Sequence, residues 1–474
     1  MDHVYAYING RKVVRRKEND MEPDIEKLYN ERKEDNHAVL DGFIPKRVPI
    51  NLSVTSFAVA ELAGVDPKLS YWDPSVLLDK AIELGERIPT DVNILGRSVL
   101  QPTRYEPLGS IAIVMGANGF MQHPNTHMME PEEYDEFCED PYAFIVEKGV
   151  PRVSKELADP SRVSMAISIS DNMVAAYNGK LGAVNKKISD KFGYFANPPV
   201  GGGGYAPMDI LSDQLRSFSG MLTDVRRCPD KVKAAVEAVS PMNYMDSRPG
   251  NPAIYTRYSY GFYPFHMATF MRPKDFENLW WPALKRQWDG LASEGFRCGA
   301  FLEHNWDHLL DYIQDLPTGS LFTFEYTDPK LLKEKLGKKM VLSSGFPMQY
   351  LTQVSPEEAA DKTKEFLDIM APGGGYMFGL DKSILVAADV HIENLEAVAK
   401  TVLEYGVYDN PGERCLEEFH KEDYKPANLP QFKSRLFKTW EQYKEQNPNT
   451  PEAAKPYVEA AEKAMVKFYV GLLK

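Results

Sequence analysis

Short apolar runs alternate with amphipathic helical segments four times between Arg297 and Gly406. Each apolar run has the length of a buried strand, and the helical segments repeat apolar residues at the spacing of one helix face. This alternation predicts an α/β fold in which parallel strands are joined by crossover helices. The four predicted strands are Cys298 to His304, Ser320 to Tyr326, Met340 to Ser344 and Gly375 to Leu380.

Helix boundaries in this region are marked by capping residues. Asp328 is followed by Pro329, and Gly337 lies just past the end of the apolar pattern, which predicts a helix between them. Ser355 with Glu358 three residues later has the spacing of a capping box. Four strand and helix units of this length are typical of half of a (β/α)₈ barrel, so the N-terminal half is expected to carry the other strands.

The N-terminal half shows a weaker pattern. Residues 48–54 and 110–116 are predicted to be strands, and residues 230–239 a helix. Residues 197–205 contain four consecutive glycines and are predicted to be a flexible loop that could border the active site as a lid.

After Gly406 the chain becomes polar and rich in proline, and helical spacing returns from Glu452 to Leu473. The predicted organisation is therefore an N-terminal extension at 1–46, a (β/α)₈ TIM barrel at 47–408 and a C-terminal helical extension at 409–474. We expect the last segment to pack on the barrel.

Composition excludes several classes of function. The 474 residues carry a formal net charge of -13 without a cluster of basic residues, which argues against nucleic-acid binding. There is no apolar run long enough to span a bilayer, and the first residues lack the apolar core of a signal peptide. The four cysteines are far apart and form no metal-binding pair, so a cytoplasmic protein without disulfides is expected.

In a barrel of this kind, reactive groups lie at the carboxyl ends of the strands. Glu303 and His304 form the sharpest polar pair, and both can face the mouth only if their strand ends near Leu302. The alternative is that one of them caps a helix or forms an ion pair. The same rule nominates Met115, Asn118, Glu325, Tyr326, Phe346, Asp381 and Lys382.

An aromatic-rich stretch runs from Tyr255 to Trp281. It is expected either to line an apolar pocket, with Tyr263 against the substrate and His266 as a polar contact, or to fill the core around a strand and helix. His123 and His127 have the i to i+4 spacing of a helical metal site, but Pro124 opposes a helix there. No metal site is predicted.

Several segments resemble the uroporphyrinogen decarboxylase superfamily, including its corrinoid-dependent methyltransferase branch. In the last third these are LPTGSLFTFEYTDPKLLKEKLGKKMVLSSGFPMQYL, SPEEAADKTKEFLDIMAPGGGYMFGL and IENLEAVAKTVLEYG. Upstream, PEEYDEFCEDPYAFIVEKGVPR and APMDILSDQLRSFSGMLTDVRRCPDKV are similar to the middle section of anaerobic O-demethylase-like members. The resemblance covers most of Pro107 to Gly406.

The chain departs from two patterns of this superfamily. The decarboxylases carry an Arg-rich motif near the N-terminus that grips substrate carboxylates, and KRVPINLSVTSF at 46–57 has nothing like it. The thiol-methylating branch has a zinc site of the form His-x-Cys with a further Cys. The corresponding positions here hold Phe301, Glu303 and Lys382. Zinc is therefore not supported by the motif, although Glu303 and His304 could still coordinate it in an unusual way.

The resemblance then implies the first methyltransferase of an aryl methyl ether O-demethylase system. Such an enzyme moves a methyl group from a methylated small molecule to cob(I)alamin on a separate corrinoid-binding protein. Glu303 or His304 would give the leaving phenolate a proton, with Glu325 as partner or alternative donor. The substrate would contact Met115, Tyr263, His266, Phe301, Tyr326, Phe346, Asp381 and Lys382.

Two other functions stay open. One is a carboxy-lyase that acts on a smaller acid without a corrinoid partner, and the other is a non-catalytic barrel subunit. The methyl donor itself is left open between a methoxyarene, a methylamine and a methylated thiol. Barrels of this kind also suggest a homodimer.

Overall fold

The computed structural model describes residues 4–8, 11–15, 23–98, 100–195, 203–249 and 255–473. The strands are β1 (Val4–Ile8), β2 (Arg11–Arg15), β3 (Val54–Thr55), β4 (Leu95–Gly96), β5 (Val114–Met115), β6 (Met121–Gln122), β7 (Tyr260–Phe265), β8 (Arg297–Leu302), β9 (Leu321–Phe324), β10 (Val341–Ser343) and β11 (Tyr376–Met377).

Helices separate most of these strands. They are α1 (Pro23–Leu40), α2 (Ser56–Leu62), α3 (Pro67–Ser70), α4 (Leu78–Arg87), α5 (Pro102–Tyr105), α6 (Tyr134–Glu139), α7 (Pro141–Phe144), α8 (Val150–Val153), α9 (Val163–Phe192), α10 (Pro207–Ile210), α11 (Phe218–Arg227), α12 (Pro229–Ser247), α13 (Pro273–Asp275), α14 (Trp281–Ser293), α15 (Leu310–Ile313), α16 (Pro329–Leu336), α17 (Pro356–Met370), α18 (Ile392–Tyr405), α19 (Trp440–Gln446) and α20 (Lys455–Val470).

The chain divides into two compact units. The first unit contains Met1–Ser98, Tyr177–Asn197 and Phe346–Arg414. The second unit contains Val99–Ala176, Pro198–Gly345 and Cys415–Lys474.

The second unit is built on a parallel sheet in the order β7, β8, β9, β10. Its register pairs Phe265 of β7 with Leu302 of β8, and Leu302 with Phe324 of β9. These three strands therefore end side by side. The residues that follow them lie along one edge of the sheet.

One face of this sheet carries the core of the second unit. Tyr263 and Phe265 alternate with outward residues along β7, as the two-residue period of a strand requires, and both are fully buried. Phe265 packs edge-on against Trp280 at 5.0 Å, and Trp288 stacks on Phe322 of β9 at 5.9 Å. Burial of these large rings anchors the helical segment at residues 276–293 to the sheet.

The first unit also contains parallel strand pairing. Val54 of β3 pairs with Leu95 of β4, and an isolated bridge joins Val54 to Ile384. A second isolated bridge joins Ile50 to Phe378, again in parallel orientation. The chain is therefore a mixed α/β protein with parallel sheet in both units, while closure of eight strands into one cylinder stays a prediction.

The four strand and helix units predicted from the last third are confirmed. Asp328 caps α16 by accepting a hydrogen bond from the Leu331 amide at 2.9 Å, and Gly337 follows the last residue of this helix. Ser355 caps α17 by accepting from the Glu358 amide at 3.2 Å. The C-terminal helical segment is present as α20.

The predicted strand at residues 110–116 is wrong in kind. Only β5 forms there, and it pairs antiparallel with β6 across a tight turn. The turn is closed by the Gly116 amide, which donates to the Phe120 carbonyl, and Gly119 has a φ of +88°. A left-handed glycine supplies a turn that an apolar pattern does not reveal.

The predicted glycine loop at 197–205 lies outside the described residues as far as residue 202. Its last part is described and contacts the sheet, because Gly203 forms a parallel bridge with Phe262 and the Gly204 amide donates to the Phe262 carbonyl. A Cβ on Gly204 would lie 2.2 Å from Ser247 Oγ. Glycine is required here because any side chain would collide with Ser247 of α12 and with the Tyr263 ring of β7.

Within the described ranges, no helix combines the length and the apolar character needed to cross a membrane.

Candidate functional site

The candidate site begins with two residues at the ends of adjacent strands. His266 directly follows β7 and Glu303 directly follows β8, and the register of these strands places them next to each other. His266 Nε2 lies 3.1 Å from Glu303 Oε1. β8 ends at Leu302, so Glu303 does not follow the alternation of side chains along the strand. This is the condition under which Glu303 was predicted to face the mouth of the barrel.

Asp213 holds the other side of the imidazole. Its Oδ2 lies 2.8 Å from His266 Nδ1. Asp213 belongs to a π-helical turn, Leu211–Leu215, that continues α10. Such turns are rare and often occur at functional sites.

A second aspartate, Asp209, contacts the main chain of His266 and is fully buried. Its Oδ1 accepts a hydrogen bond from Trp280 Nε1 at 2.8 Å, and its Oδ2 accepts from the His266 main-chain amide at 3.2 Å. Asp209 therefore fixes the backbone of His266, whose side chain contacts Asp213 and Glu303.

The electrostatics favour a charged imidazole. Burial lowers the pKa of His266, but the hydrogen bonds that its ring donates to Asp213 and Glu303 outweigh burial and raise the pKa to about 11. His266 is thus an imidazolium at neutral pH. Burial, and then repulsion from Asp213, raise the pKa of Asp209 to about 7. The site therefore contains a cation between two carboxylates, with a third carboxyl group that titrates near neutrality.

A phenol borders the imidazolium. The rings of Tyr205 and His266 lie edge to face, with centroids 5.8 Å apart. Burial raises the pKa of Tyr205 well above its usual value, and the neighbouring carboxylates of Asp213 and Asp209 raise it further. Tyr205 therefore remains a neutral phenol beside the charged cluster.

The sheet face that leads to this cluster is apolar and partly exposed. Pro264, Phe301 and Thr323 are paired across β7, β8 and β9, so their side chains share one face. Phe262 lies on the same face, two residues before Pro264, and is 46% exposed. Parallel strands are usually buried on both faces. An exposed phenylalanine within β7 therefore marks a surface that can accept an apolar ligand.

His304 and Glu325 belong to the turn beside the cluster. The His304 amide donates to Glu325 Oε2 at 2.7 Å, and His304 has a φ of +62°. The exposed His304 ring lies edge-on to Phe270, with centroids 4.7 Å apart. Glu325 thus stabilises His304 in its left-handed conformation. The imidazole that contacts Glu303 is that of His266.

The other predicted substrate contacts of the second unit lie in three places. Phe301 shares the face that leads to Glu303, and Tyr326 follows β9 with 54% of its surface exposed. Tyr263 points to the opposite face, where its hydroxyl contacts Gln287 Nε2 at 2.9 Å in the core. Met115 pairs with Met121 in the β5–β6 hairpin.

Phe346, Asp381 and Lys382 belong to the first unit. Phe346 is fully buried and packs against Phe378, with ring centroids 5.3 Å apart. Asp381 is also buried and accepts a hydrogen bond from the Met348 amide at 2.9 Å. These contacts join the segment at residues 346–348 to the segment at residues 378–381 within that unit.

Pro124 was predicted to oppose a helix containing His123 and His127. The structure agrees, since β6 ends at Gln122 and neither histidine lies in a helix. His127 Nε2 lies 2.9 Å from Glu130 Oε1, and His123 contacts Gln214. In the part of the chain that the structure describes, no group of three or more His, Cys, Asp or Glu residues is arranged to hold a metal ion.

Asp209 and Asp213 were not among the sequence candidates. They lie in the segment APMDILSDQL, four residues apart, which is the spacing of neighbours on one helix face. Two aspartates at this spacing within a largely apolar segment are the pattern that could have identified them. Their relation to His266 depends on the tertiary structure.

Comparison with known proteins gives a likeness of fold. The chain matches no family model and no curated protein. Among solved structures, it is similar to a methyltransferase from Methanosarcina mazei, with 17% sequence identity and a TM-score of 0.50. The match covers 80% of this chain and 98% of that chain. At this identity the likeness concerns the fold alone.

Proposed function

We propose that this protein is a corrinoid-dependent methyltransferase on a (β/α)₈ barrel of the uroporphyrinogen decarboxylase superfamily. It would move a methyl group from an aryl methyl ether to cob(I)alamin on a separate corrinoid protein in the cytoplasm. The observation that carries the proposal is the hydrogen-bonded pair of His266 and Glu303 at the end of an apolar sheet face. The likeness of fold to a methyltransferase is consistent with it.

The arene would lie on the partly exposed face of β7 and β8. Phe262 and Phe301 offer ring surfaces there, and the face leads directly to His266 and Glu303. An ether oxygen placed between these two polar groups would leave its ring on the apolar surface. Phe262 thus takes the role that the sequence assigned to Tyr263.

The corrinoid belongs to the partner protein and, when bound, supplies a cobalt nucleophile that accepts the methyl carbon. Exposed rings at the same edge of the second unit fit such an encounter. Phe218 and Phe270 pack edge to face at 4.9 Å while remaining 37% and 45% exposed, and Phe270 contacts His304. Exposed aromatic groups near a site are typical of partner or ligand contacts.

The residues of the site would supply the proton. The C–O bond to the methyl group breaks with its electron pair on oxygen, giving a phenolate whose conjugate acid has a pKa of about 10. The pKa of His266, about 11, is close to that value, so the proton on His266 Nε2 can pass to the oxygen with only a small free-energy cost and leave a neutral imidazole. Asp213 holds the imidazole in place during this transfer, and solvent restores the proton.

The test is a reaction with cob(I)alamin as methyl acceptor. The purified chain is incubated anaerobically with cob(I)alamin and a panel of methoxyarenes, methylamines and methyl thioethers, and the corrinoid spectrum is followed. We expect methylcobalamin and one equivalent of phenol from at least one methoxyarene. A chain carrying Glu237→Gln, a change in an exposed ion pair with Arg286, serves as a control for nonspecific loss.

Three results would overturn the proposal. Methylation from only the amines or thioethers would exclude the aryl ether. Absence of methylation from every donor, with carbon dioxide released from an arene carboxylic acid without corrinoid, would identify the carboxy-lyase instead. No turnover under either condition would favour a non-catalytic subunit.

A further inference from the structure

Negatively charged groups outnumber positively charged ones around His266. Asp213 and Glu303 both contact the imidazolium, and Asp209 holds its main chain. Among the described residues, no Lys or Arg forms an ion pair with any of these three carboxyl groups. The cluster therefore has more negative than positive charge at neutral pH.

Arg297 begins β8 on the adjoining sheet face, four residues before Phe301, and donates to the Tyr260 hydroxyl at 3.1 Å. Closer to Phe301, the described strand residues of this face carry no positive charge. The face presents Phe262, Pro264 and Phe301, and its polar member Thr323 has a hydroxyl that donates to the Ala300 carbonyl. A carboxylate placed on this face would lose water without gaining a charged partner.

We propose that this site selects its methyl donor by charge, accepting neutral or cationic methoxyarenes and rejecting those that carry a carboxylate. This inference rests on the proposed function and names the substrate class of the same site. An arene with its ether oxygen between His266 and Glu303 would place a para substituent about 7 Å away, near Phe301, since two strand residues span that distance.

The size of the effect follows from the repulsion of like charges. At about 7 Å in a partly buried site, a second negative charge should weaken binding by at least about tenfold. Salt should reduce this factor because the cluster remains partly exposed, with Glu303 29% and Asp213 13% accessible. A cation at the same place should bind as well as or better than the neutral compound.

Three para-substituted methoxyarenes of similar size test this: 4-methoxybenzamide, 4-methoxybenzoate and 4-methoxybenzylamine. Affinity is measured by calorimetry on the full chain at about pH 7.5, without corrinoid. We expect the benzoate to bind at least about tenfold more weakly than the amide at low salt, with the gap narrowing as salt rises. Glu303→Gln should narrow the gap several-fold, whereas Glu237→Gln should leave it unchanged.

The outcomes separate this inference from the proposed function. Equal or tighter binding of the benzoate overturns charge selection, even if methyl transfer occurs. The expected binding order without any methyl transfer supports charge selection and overturns the proposed reaction. Failure of all three compounds to bind overturns the arene site and the inference with it.

Discussion

Two charged clusters of the second unit are built from similar groups but differ in access. In one, Arg216 Nε lies 2.6 Å from Asp224 Oδ2, and both side chains are nearly fully buried at 6% and 4% exposure. In the other, His266 and Glu303 are 25% and 29% exposed. The first cluster is closed to ligands, and the second is open to them.

The two clusters also differ in how their hydrogen bonds are used. Arg216 contacts the Met129 carbonyl as well as Asp224, and Asp224 accepts a further hydrogen bond from the Tyr134 hydroxyl at 2.9 Å. The hydrogen bonds of the Arg216–Asp224 cluster thus hold α11 to the segments around it. The His266 cluster instead leaves carboxylate surface accessible at the ends of strands. Charge alone does not distinguish a folding role from a functional one, whereas access at the strand ends does.

The largest effect is expected from Glu303→Gln, which removes the ionisable partner of His266. Loss of the carboxylate that keeps His266 protonated and in place should lower the rate of methyl transfer by about 100-fold to 10,000-fold, with the affinity for a neutral arene nearly unchanged. Single-turnover kinetics and calorimetry measure the two quantities. Glu237→Gln is the matched control, because it makes the same change of carboxylate to amide in an exposed ion pair with Arg286. Equal losses in rate and affinity, or no loss in either, would contradict a role of Glu303 in proton transfer.

Arg216→Met tests the closed cluster and should act on stability. It leaves Asp224 buried without its cation, which should lower the free energy of unfolding by about 3 to 5 kcal/mol. Denaturant unfolding measures this change. The double variant with Asp224→Leu should recover part of the loss, because no charge is then left unpaired. If Arg216→Met instead abolished methyl transfer without loss of stability, the two clusters could not be separated by function.

The smallest effect is a pH-dependent change in stability from His266→Gln. The pKa of His266 is raised from 6.5 to about 11 in the folded chain, so its contribution is fully present below pH 6.5 and is lost as the pH rises through 11. The variant should be less stable than the parent by about 2 kcal/mol at about pH 6, with a smaller difference at about pH 10. Thermal unfolding at both values measures this. A difference that grows with pH would contradict a charged His266.

Local features of the fold were predictable from sequence because their causes lie within a few residues. Asp328 and Ser355 begin helices through hydrogen bonds to amides three residues later, and the apolar run before Glu303 forms a strand. The same approach was wrong at residues 110–116, where a hairpin turn overrode the apolar pattern. Segments shorter than a few residues, such as β5, depend on their surroundings more than on their composition.

The candidate site was only partly predictable. Glu303 was identified because it follows a strand, and His266 was noted among aromatic residues without a partner. The sequence by itself therefore determined the strand and helix units of the last third and the polar residues at their ends. Only the tertiary structure decided that His266, rather than His304, meets Glu303, and that Asp213 completes the cluster. The reason is physical: these contacts depend on the register of β7 against β8 and on the position of a distant helix, neither of which is set by neighbouring residues.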